Sequence, residues 1–380
     1  MRRAYGGAAW HDLFKTESKG ATMRAAILTE YNKPMVIEEV TPGPLGRRDV
    51  RVHIDASGVC HSDLTIATGG VPLPPPVILG HEGAGTVLEI GPEVTRVKPG
   101  DRVIASFVPA CGNCWYCLRD QSNLCEHSND LMLSTKGTRS DGSSVFGMMG
   151  LGTFADEVAC EESMLVKIET DLPSEQLALI GCGVTTGVGA ALNTARILPG
   201  ATVAVIGCGG VGQSVIQGAR IAGASRIFAV DPVEMKRKTA EQLGATDLID
   251  PADGDPIEQV KAATGGRGAD YAFEVIGLPE TILQAYNTAR RGGTVVIVGM
   301  PRIEAMVTFP AIQLFSDEKK MLGCMYGSAQ VRRDFPRLVG LVETGRLDIG
   351  SMVSRRIRLD EIDDAFRAMR SGEVIRSVIV

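Results

Sequence analysis

The chain has 380 residues, 44% of them hydrophobic and 22% charged, with a formal net charge of −6. That length predicts two domains, perhaps three, with a full core, and the acidic balance argues against a nucleic-acid partner, which would call for a basic stripe. No apolar run approaches the ~20 residues needed to span a bilayer, so a membrane partner is not expected either.

Residues 1–22 carry mixed charge and no helical or strand period, and Asp12 and Glu17 break the acid-poor pattern of a transit peptide. They read as a disordered extension ahead of a domain that begins near Met23. Strand-like runs follow at 24–28, 36–40 and 50–54, with turns marked by Pro42, Gly43, Pro44 and Gly46, and the series continues at 86–90 and 102–105. Short strands separated by turns predict a small, β-rich, partly closed domain. His53 lies within one of them and reads as a packed or surface histidine.

Chemistry enters with Cys60-His61-Ser62-Asp63, directly after the third run. Gly80-His81-Glu82-Gly83 follows, and a further thiol, Cys182, stands between Gly181 and Gly183. Two thiolates and one imidazole are the ligand set of a catalytic zinc with an open fourth position. Alone, Cys182 would read as a core cysteine; its glycine neighbours, which permit close backbone approach, favour a ligand.

The nine cysteines are Cys60, Cys111, Cys114, Cys117, Cys125, Cys160, Cys182, Cys208 and Cys324. A secreted disulfide framework is the alternative to metal binding; the chain's length and the lack of a secretory apolar segment at its start favour metal. Cys111-Gly-Asn-Cys114-Trp-Tyr-Cys117, joined by Cys125, places four thiols within reach of one point. Four thiolates leave no open position, as in a structural zinc site.

The polar, glycine-rich stretch 129–152 reads as a long surface loop bordering the site. Strands are expected at 153–159 and 164–168. Pro173 opens a helix that runs to 180 and stops at Gly181-Cys182-Gly183, and a second helix covers 184–195. An apolar strand at 203–206 then runs into Gly207-Cys208-Gly209-Gly210-Val211-Gly212 and a helix to 221. The next strand, 226–230, ends in Asp231. This is the dinucleotide fingerprint in its strand–turn–helix context. Asp231 can accept from ribose hydroxyls and would repel a 2′-phosphate, so NAD is the expected coenzyme. Strands at 248–249, 271–276 and 294–298 alternate with helices at 240–243 and 278–289, which predicts a parallel sheet covered on both faces. A helix at 335–344, a strand at 354–359, a helix at 360–370 and a terminal strand at 376–380 complete the chain, the last added to the first domain. Internal repeats and low-complexity tracts are absent. The fold class is α/β, with a β-rich domain over 23–183 and 328–380 and a Rossmann domain over 184–327.

From Met23 to Val380 the chain resembles the zinc-dependent alcohol dehydrogenases of the medium-chain dehydrogenase/reductase superfamily. Gly80-His81-Glu82-x-x-Gly85-x5-Gly91-x-x-Val94 matches the zinc signature of that family, as do the four-cysteine lobe and the glycine turn. The resemblance implies a GroES-like catalytic domain and two zinc ions per chain. Cys60, His81 and Cys182 would hold the catalytic ion, and Cys111, Cys114, Cys117 and Cys125 the structural one. It implies that Asp63 and Glu82 orient the ligands and that Ser62 takes the substrate proton. His61 and Thr186 would lie beside the coenzyme, Lys236 on its ribose and Arg376 on its pyrophosphate. Phe107, Val71 and Leu131 would shape the substrate pocket. The activity implied is NAD-linked interconversion of an alcohol with an aldehyde or ketone, in a cytoplasmic homodimer whose other partner is its small-molecule substrate. The long 125–153 segment is similar to the dimeric animal and plant-type class and to thiol-dependent formaldehyde dehydrogenases. Oxidation of a formaldehyde–thiol adduct is therefore the alternative, and a non-catalytic zinc and NAD protein the minor one. The sequence departs from the family at Thr65, where many members carry a histidine. The proton relay is accordingly expected to end in water, held by Thr65 or the loop around Gly69.

Overall fold

The computed structural model describes residues 22–380; apart from Thr22, the expected extension lies outside the described residues. The first domain is built on the strand Asp49–Val59, whose first half alternates, with Val50 and Val52 inward, and whose last four residues are buried on both sides. It pairs with Glu82–Ile90 on one edge, and shares the other between Glu157–Glu161 and Arg376–Ile379. Leu165–Lys167, Arg102–Ala105 and Val353–Ile357 complete the sheet. The register sets Gly58 opposite both Glu82 and Val378, so the chain's last strand lies beside the strand that leads into Cys60.

A closed barrel of five strands packs beside this sheet: Met23–Leu28, Val36–Pro42, Thr135–Thr138, Ser144–Gly147 and Val77–Ile78. The stretch 129–152 is therefore not a surface loop. Its Thr-Lys-Gly-Thr strand lacks apolar alternation because the inward residue is Lys136, whose stem fills space while its ammonium is satisfied by backbone. The Lys136 Nζ donates to the carbonyls of Gly150 at 2.6 Å and Ala159 at 2.7 Å.

The second domain is a six-stranded, all-parallel sheet ordered Asp247–Ile249, Arg226–Val230, Thr202–Ile206, Ala269–Glu274, Ala289–Ile297, Lys320–Gly323. Numbered along the chain this is 3-2-1-4-5-6, the dinucleotide-binding order with its crevice where the order reverses. The apolar strand Thr202–Ile206 lies at that point and feeds the helix Gly210–Ile221.

Between the two sheets runs one helix, Ser174–Thr194. The Gly181-Cys182-Gly183 stretch was expected to end a helix; instead Ile180–Val184 widens into a π turn and the helix continues. Two successive carbonyls of that turn accept side-chain donors, Ile180 from Thr185 Oγ1 at 2.6 Å and Gly181 from the Tyr326 hydroxyl. Tertiary contacts thus override the low helix propensity of two glycines. By length and composition this helix could cross a membrane, contrary to the expectation that no such run exists; 83% of its apolar window is buried inside the fold, which accounts for its hydropathy. His53 stands at the surface, 3.9 Å from Asp55.

Burial holds the Lys136 amine down at about 8, against the attraction of nearby Cys160 and Asp49. Below pH 8 the lysine is charged in both folded and unfolded chains and its burial cost is felt in full. Between 8 and its ordinary 10.5 only the unfolded chain binds the proton, so folding gains stability as pH rises. Relative to Lys136→Met, the wild type should gain ~3 kcal/mol across that window and nothing below it. Denaturant titrations of both proteins at pH 7 and pH 10 check this.

Candidate active site

A cleft of about 1830 Å³ opens between the domains. Cys60, His61, Ser62, Thr65, His81, Phe107, Cys182, Thr186, Gly207, Gly209, Gly210, Val211, Gly212, Asp231, Lys236 and Arg376 all line it. Asp63 and Glu82 lie buried behind this surface. Val71 and Leu131 do not line the cleft, contrary to expectation: Val71 packs against the barrel core and Leu131 against the core of the large sheet. Both are apolar residues near the motifs in sequence whose side chains turn into a core.

The donor atoms of Cys60, His81, Cys182 and Glu82 lie within 4.8 Å of one another. They come from three segments of the chain, His81 and Glu82 being neighbours in one of them. Cys60 caps the helix His61–Ala67, and Asp63, in its first turn, reaches back to the Cys60 amide at 2.8 Å. The other Asp63 oxygen takes the Gly80 amide at 3.0 Å and faces His81 Nδ1 at 3.1 Å. Asp63 therefore fixes two donor-bearing segments with one carboxylate and leaves His81 Nε2 free to coordinate. Burial would lower the His81 pKa, but the Asp63 charge and hydrogen bond, with Cys60, hold it well above its ordinary value. A hydrogen bond with Cys182 holds Cys60 well below the usual thiol range despite burial, helped by His81; Cys182 is held correspondingly well above it by Cys60 and by burial. Filling the site with a cation requires deprotonated sulfurs and a neutral imidazole, so binding is linked to proton release. Ser62 Oγ lies 3.8 Å from Cys60 Sγ, at the mouth of this cluster.

Glu82 accepts the Gly183 amide at 3.1 Å and pairs with Arg376, both side chains buried. Burial pushes the Glu82 carboxyl up to about 7 while Arg376 pulls it back. Gly58 has no side chain because a Cβ there would overlap the Glu82 carboxylate. Arg376, expected on a pyrophosphate, lines the cleft and pairs with Glu82 through one guanidinium nitrogen, while its stem lies over Gly210 in the glycine turn.

The four-cysteine lobe forms a second cluster. Cys111 and Cys117 sulfurs are 3.8 Å apart and those of Cys114 and Cys125 3.9 Å. A tetrahedron of Zn–S bonds near 2.3 Å has edges of roughly 3.8 Å, whereas a disulfide needs about 2.05 Å. Backbone amides of Asn113 and Cys114 point at Cys111 Sγ at 3.5 and 3.4 Å, and that of Cys117 at Cys114 Sγ at 3.4 Å, an arrangement that favours thiolates. Burial notwithstanding, such amides bring Cys114 down to about 6.

At the glycine turn a Cβ on Gly212 would overlap the Gly207 carbonyl, so helix and strand can pack this closely only here with glycine. Asp231 is buried and accepts the amides of Cys208 and Val233, both at 2.9 Å. Each oxygen has capacity for a further hydrogen bond, and Asp231 and Lys236 both line the cleft. His61 is held below its ordinary value by burial, opposed by Cys60 and reinforced by Lys236 and Arg376. Thr65 Oγ1 donates to the His61 carbonyl at 2.9 Å, so its oxygen can only accept from the cleft. Sequence reasoning missed Met149, Met300 and Met325 on the cleft wall, and Tyr326. Apolar walls carry no motif; a tyrosine followed by Gly-Ser after the last sheet strand was the only signal for Tyr326.

Comparison with known proteins agrees with this geometry. Residues 46–170 match the family model of the alcohol dehydrogenase GroES-like domain, and residues 210–344 that of the zinc-binding dehydrogenases. Among solved structures, an alcohol dehydrogenase zinc-binding domain protein from Burkholderia ambifaria is 30% identical, with a TM-score of 0.89, covering 94% of this chain and 98% of its own. Benzyl alcohol dehydrogenase from Acinetobacter calcoaceticus is 32% identical, with a TM-score of 0.88, over 94% and 99%. A zinc-binding dehydrogenase from Sinorhizobium meliloti, solved bound to NADP, is 29% identical, with a TM-score of 0.79, over 95% and 99%.

Removing one partner of a buried ion pair leaves the other uncompensated, at a cost of about 3–5 kcal/mol. Arg376→Met should lose about that much stability. Adding Glu82→Gln should restore most of it, because the stranded charge is gone. A double-mutant cycle by denaturant unfolding reads the coupling directly.

Proposed function

Because the chain belongs to the zinc-dependent alcohol dehydrogenases of the medium-chain dehydrogenase/reductase superfamily, we propose that it interconverts an alcohol with its aldehyde or ketone, using NAD. The observation that carries this reading is the convergence of Cys60, His81 and Cys182 on one point of the cleft into which the glycine turn also opens. The residues fit two zinc ions: two sulfurs and an imidazole nitrogen exposed to the cleft, and a closed set of four sulfurs away from it. When bound, zinc supplies a Lewis acid for an alcohol oxygen and the nicotinamide supplies a hydride acceptor.

The chain's own residues do the rest. Asp63 and Glu82 hold the donor segments in register. Ser62, beside Cys60 on the cleft, is placed to receive the proton of a substrate hydroxyl. Thr65, whose own proton is engaged by the His61 carbonyl, hands no proton on itself; it can accept a hydrogen bond from the water that takes the proton away. Phe107 lies edge-on to His81 at 5.5 Å and gives the substrate an apolar wall. Support for NAD comes from Asp231, a buried carboxylate against which a 2′-phosphate would be repelled.

An NAD-reduction screen over primary, secondary and aromatic alcohols, with formaldehyde plus low-molecular-weight thiols as a separate arm, tests the activity and distinguishes the two substrate classes. Cys60→Ser should abolish turnover in a folded protein, whereas Cys117→Ser should destabilise the fold. Metal analysis of fully active protein should find two zinc ions per chain, and a value of one would refute the two-site assignment.

Wild-type enzyme should prefer NAD to NADP. Asp231→Ser should raise the NADP/NAD ratio of kcat/KM by roughly 10–100-fold, the equivalent of one charged contact. Side-by-side kinetics with both coenzymes check this, and a wild-type preference for NADP would overturn the assignment.

A further inference from the structure

We propose that Tyr326 is a positioning residue for the metal centre, its hydroxyl fixing the widened helical turn that presents Cys182. This rests on the reading of Cys182 as a metal ligand. Tyr326 follows the last strand of the parallel sheet, and its buried side chain crosses to the other domain. Its hydroxyl donates to the carbonyl of Gly181, the residue immediately before Cys182. Its ring packs on Phe107 at 4.1 Å, and Phe107 in turn lies edge-on to His81 at 5.5 Å. A single side chain therefore bonds the peptide that orients one donor and backs the ring that abuts another.

The backbone is held against its own preference to achieve this. Tyr326, Gly327 and Ser328 have φ of +54°, +65° and +49°. A bulky residue in the left-handed region costs on the order of 1–3 kcal/mol and persists only where its surroundings over-determine it. The surroundings here belong to the helix that carries Cys182: Asn193 Nδ2 donates to the Gly327 carbonyl at 3.2 Å, and Thr194 Oγ1 lies 2.8 Å from Ser328 Oγ. Pinned at the far end of that helix, the loop delivers the hydroxyl to the turn at its middle. With the hydroxyl gone, the Gly181–Cys182 peptide is free to rotate toward ordinary α-helix, carrying the sulfur with it.

The test uses the full-length enzyme loaded with cobalt in place of zinc. The part of the thiolate-to-cobalt absorption that disappears in Cys182→Ser belongs to this centre; if nothing disappears, the ligand assignment is refuted and the inference with it. In Tyr326→Phe, which keeps the ring on Phe107, that component should shift, and a chelator should strip the metal about tenfold faster or more. Tyr31→Phe removes a different hydroxyl, bonded to the Leu73 carbonyl at 2.7 Å, and should change neither. Should Tyr326→Phe fail to fold, Thr185→Val removes the neighbouring donor of the same turn and should shift the component likewise, with Thr185→Ser restoring it. A wild-type spectrum and chelation rate in the folded Tyr326→Phe, or in Thr185→Val when that variant carries the test, overturns the proposal. So does a change of equal size in Tyr31→Phe.

Discussion

Glu82 and Arg376, a carboxylate and a guanidinium sealed from water, join segments 294 residues apart in sequence. A buried pair of this kind is a poor source of stability, because desolvating two charges offsets most of their attraction. Its value lies in what it aligns. Glu82 follows the donor His81 and takes the amide of Gly183, next to the donor Cys182. Arg376 belongs to the final strand and lies across Gly210 at the glycine turn. The candidate metal cluster and the glycine turn are thus held in one frame by an interaction between segments far apart in sequence.

The same economy governs charge within the cluster. Asp63 caps a helix, bonds the Gly80 amide and raises the affinity of His81 for protons, and Cys60 and Cys182 divide a proton between them. A cation held here needs deprotonated sulfurs and a neutral imidazole, so occupancy and pH are linked. The four-cysteine lobe differs in kind: its sulfurs are oriented by backbone amides within a short knuckle, and among the described residues no charged side chain bonds to them. One cluster is assembled by the fold; the other is written into fifteen consecutive positions, Cys111 to Cys125.

Where sequence and structure part company, the cause is tertiary. The stretch 129–152 reads as loop because its strands are four residues long and one points a lysine inward; the carbonyls of Gly150 and Ala159 make that tolerable, and neither can be foreseen from Lys136. Gly181 and Gly183 signal a helix end, yet the turn is kept helical, though widened, by donors from Thr185 and Tyr326. Val71 and Leu131 are near the motifs in sequence and turned into cores in space.

Residue types and spacing were enough for whatever depends on local geometry: the strand–glycine turn–helix with Asp231, the cysteine knuckle, and the alternation that makes the second sheet parallel. These are interactions between residues a few positions apart, whose chemistry is constrained by the backbone between them. What the fold alone decided is how distant pieces meet. That Cys182 sits on a π turn within a continuous helix, that Arg376 pairs with Glu82, and that Tyr326 reaches Gly181 all follow from packing segments distant in sequence against one another. Such contacts are selected by shape and burial over the whole molecule, and no short window of sequence contains both partners.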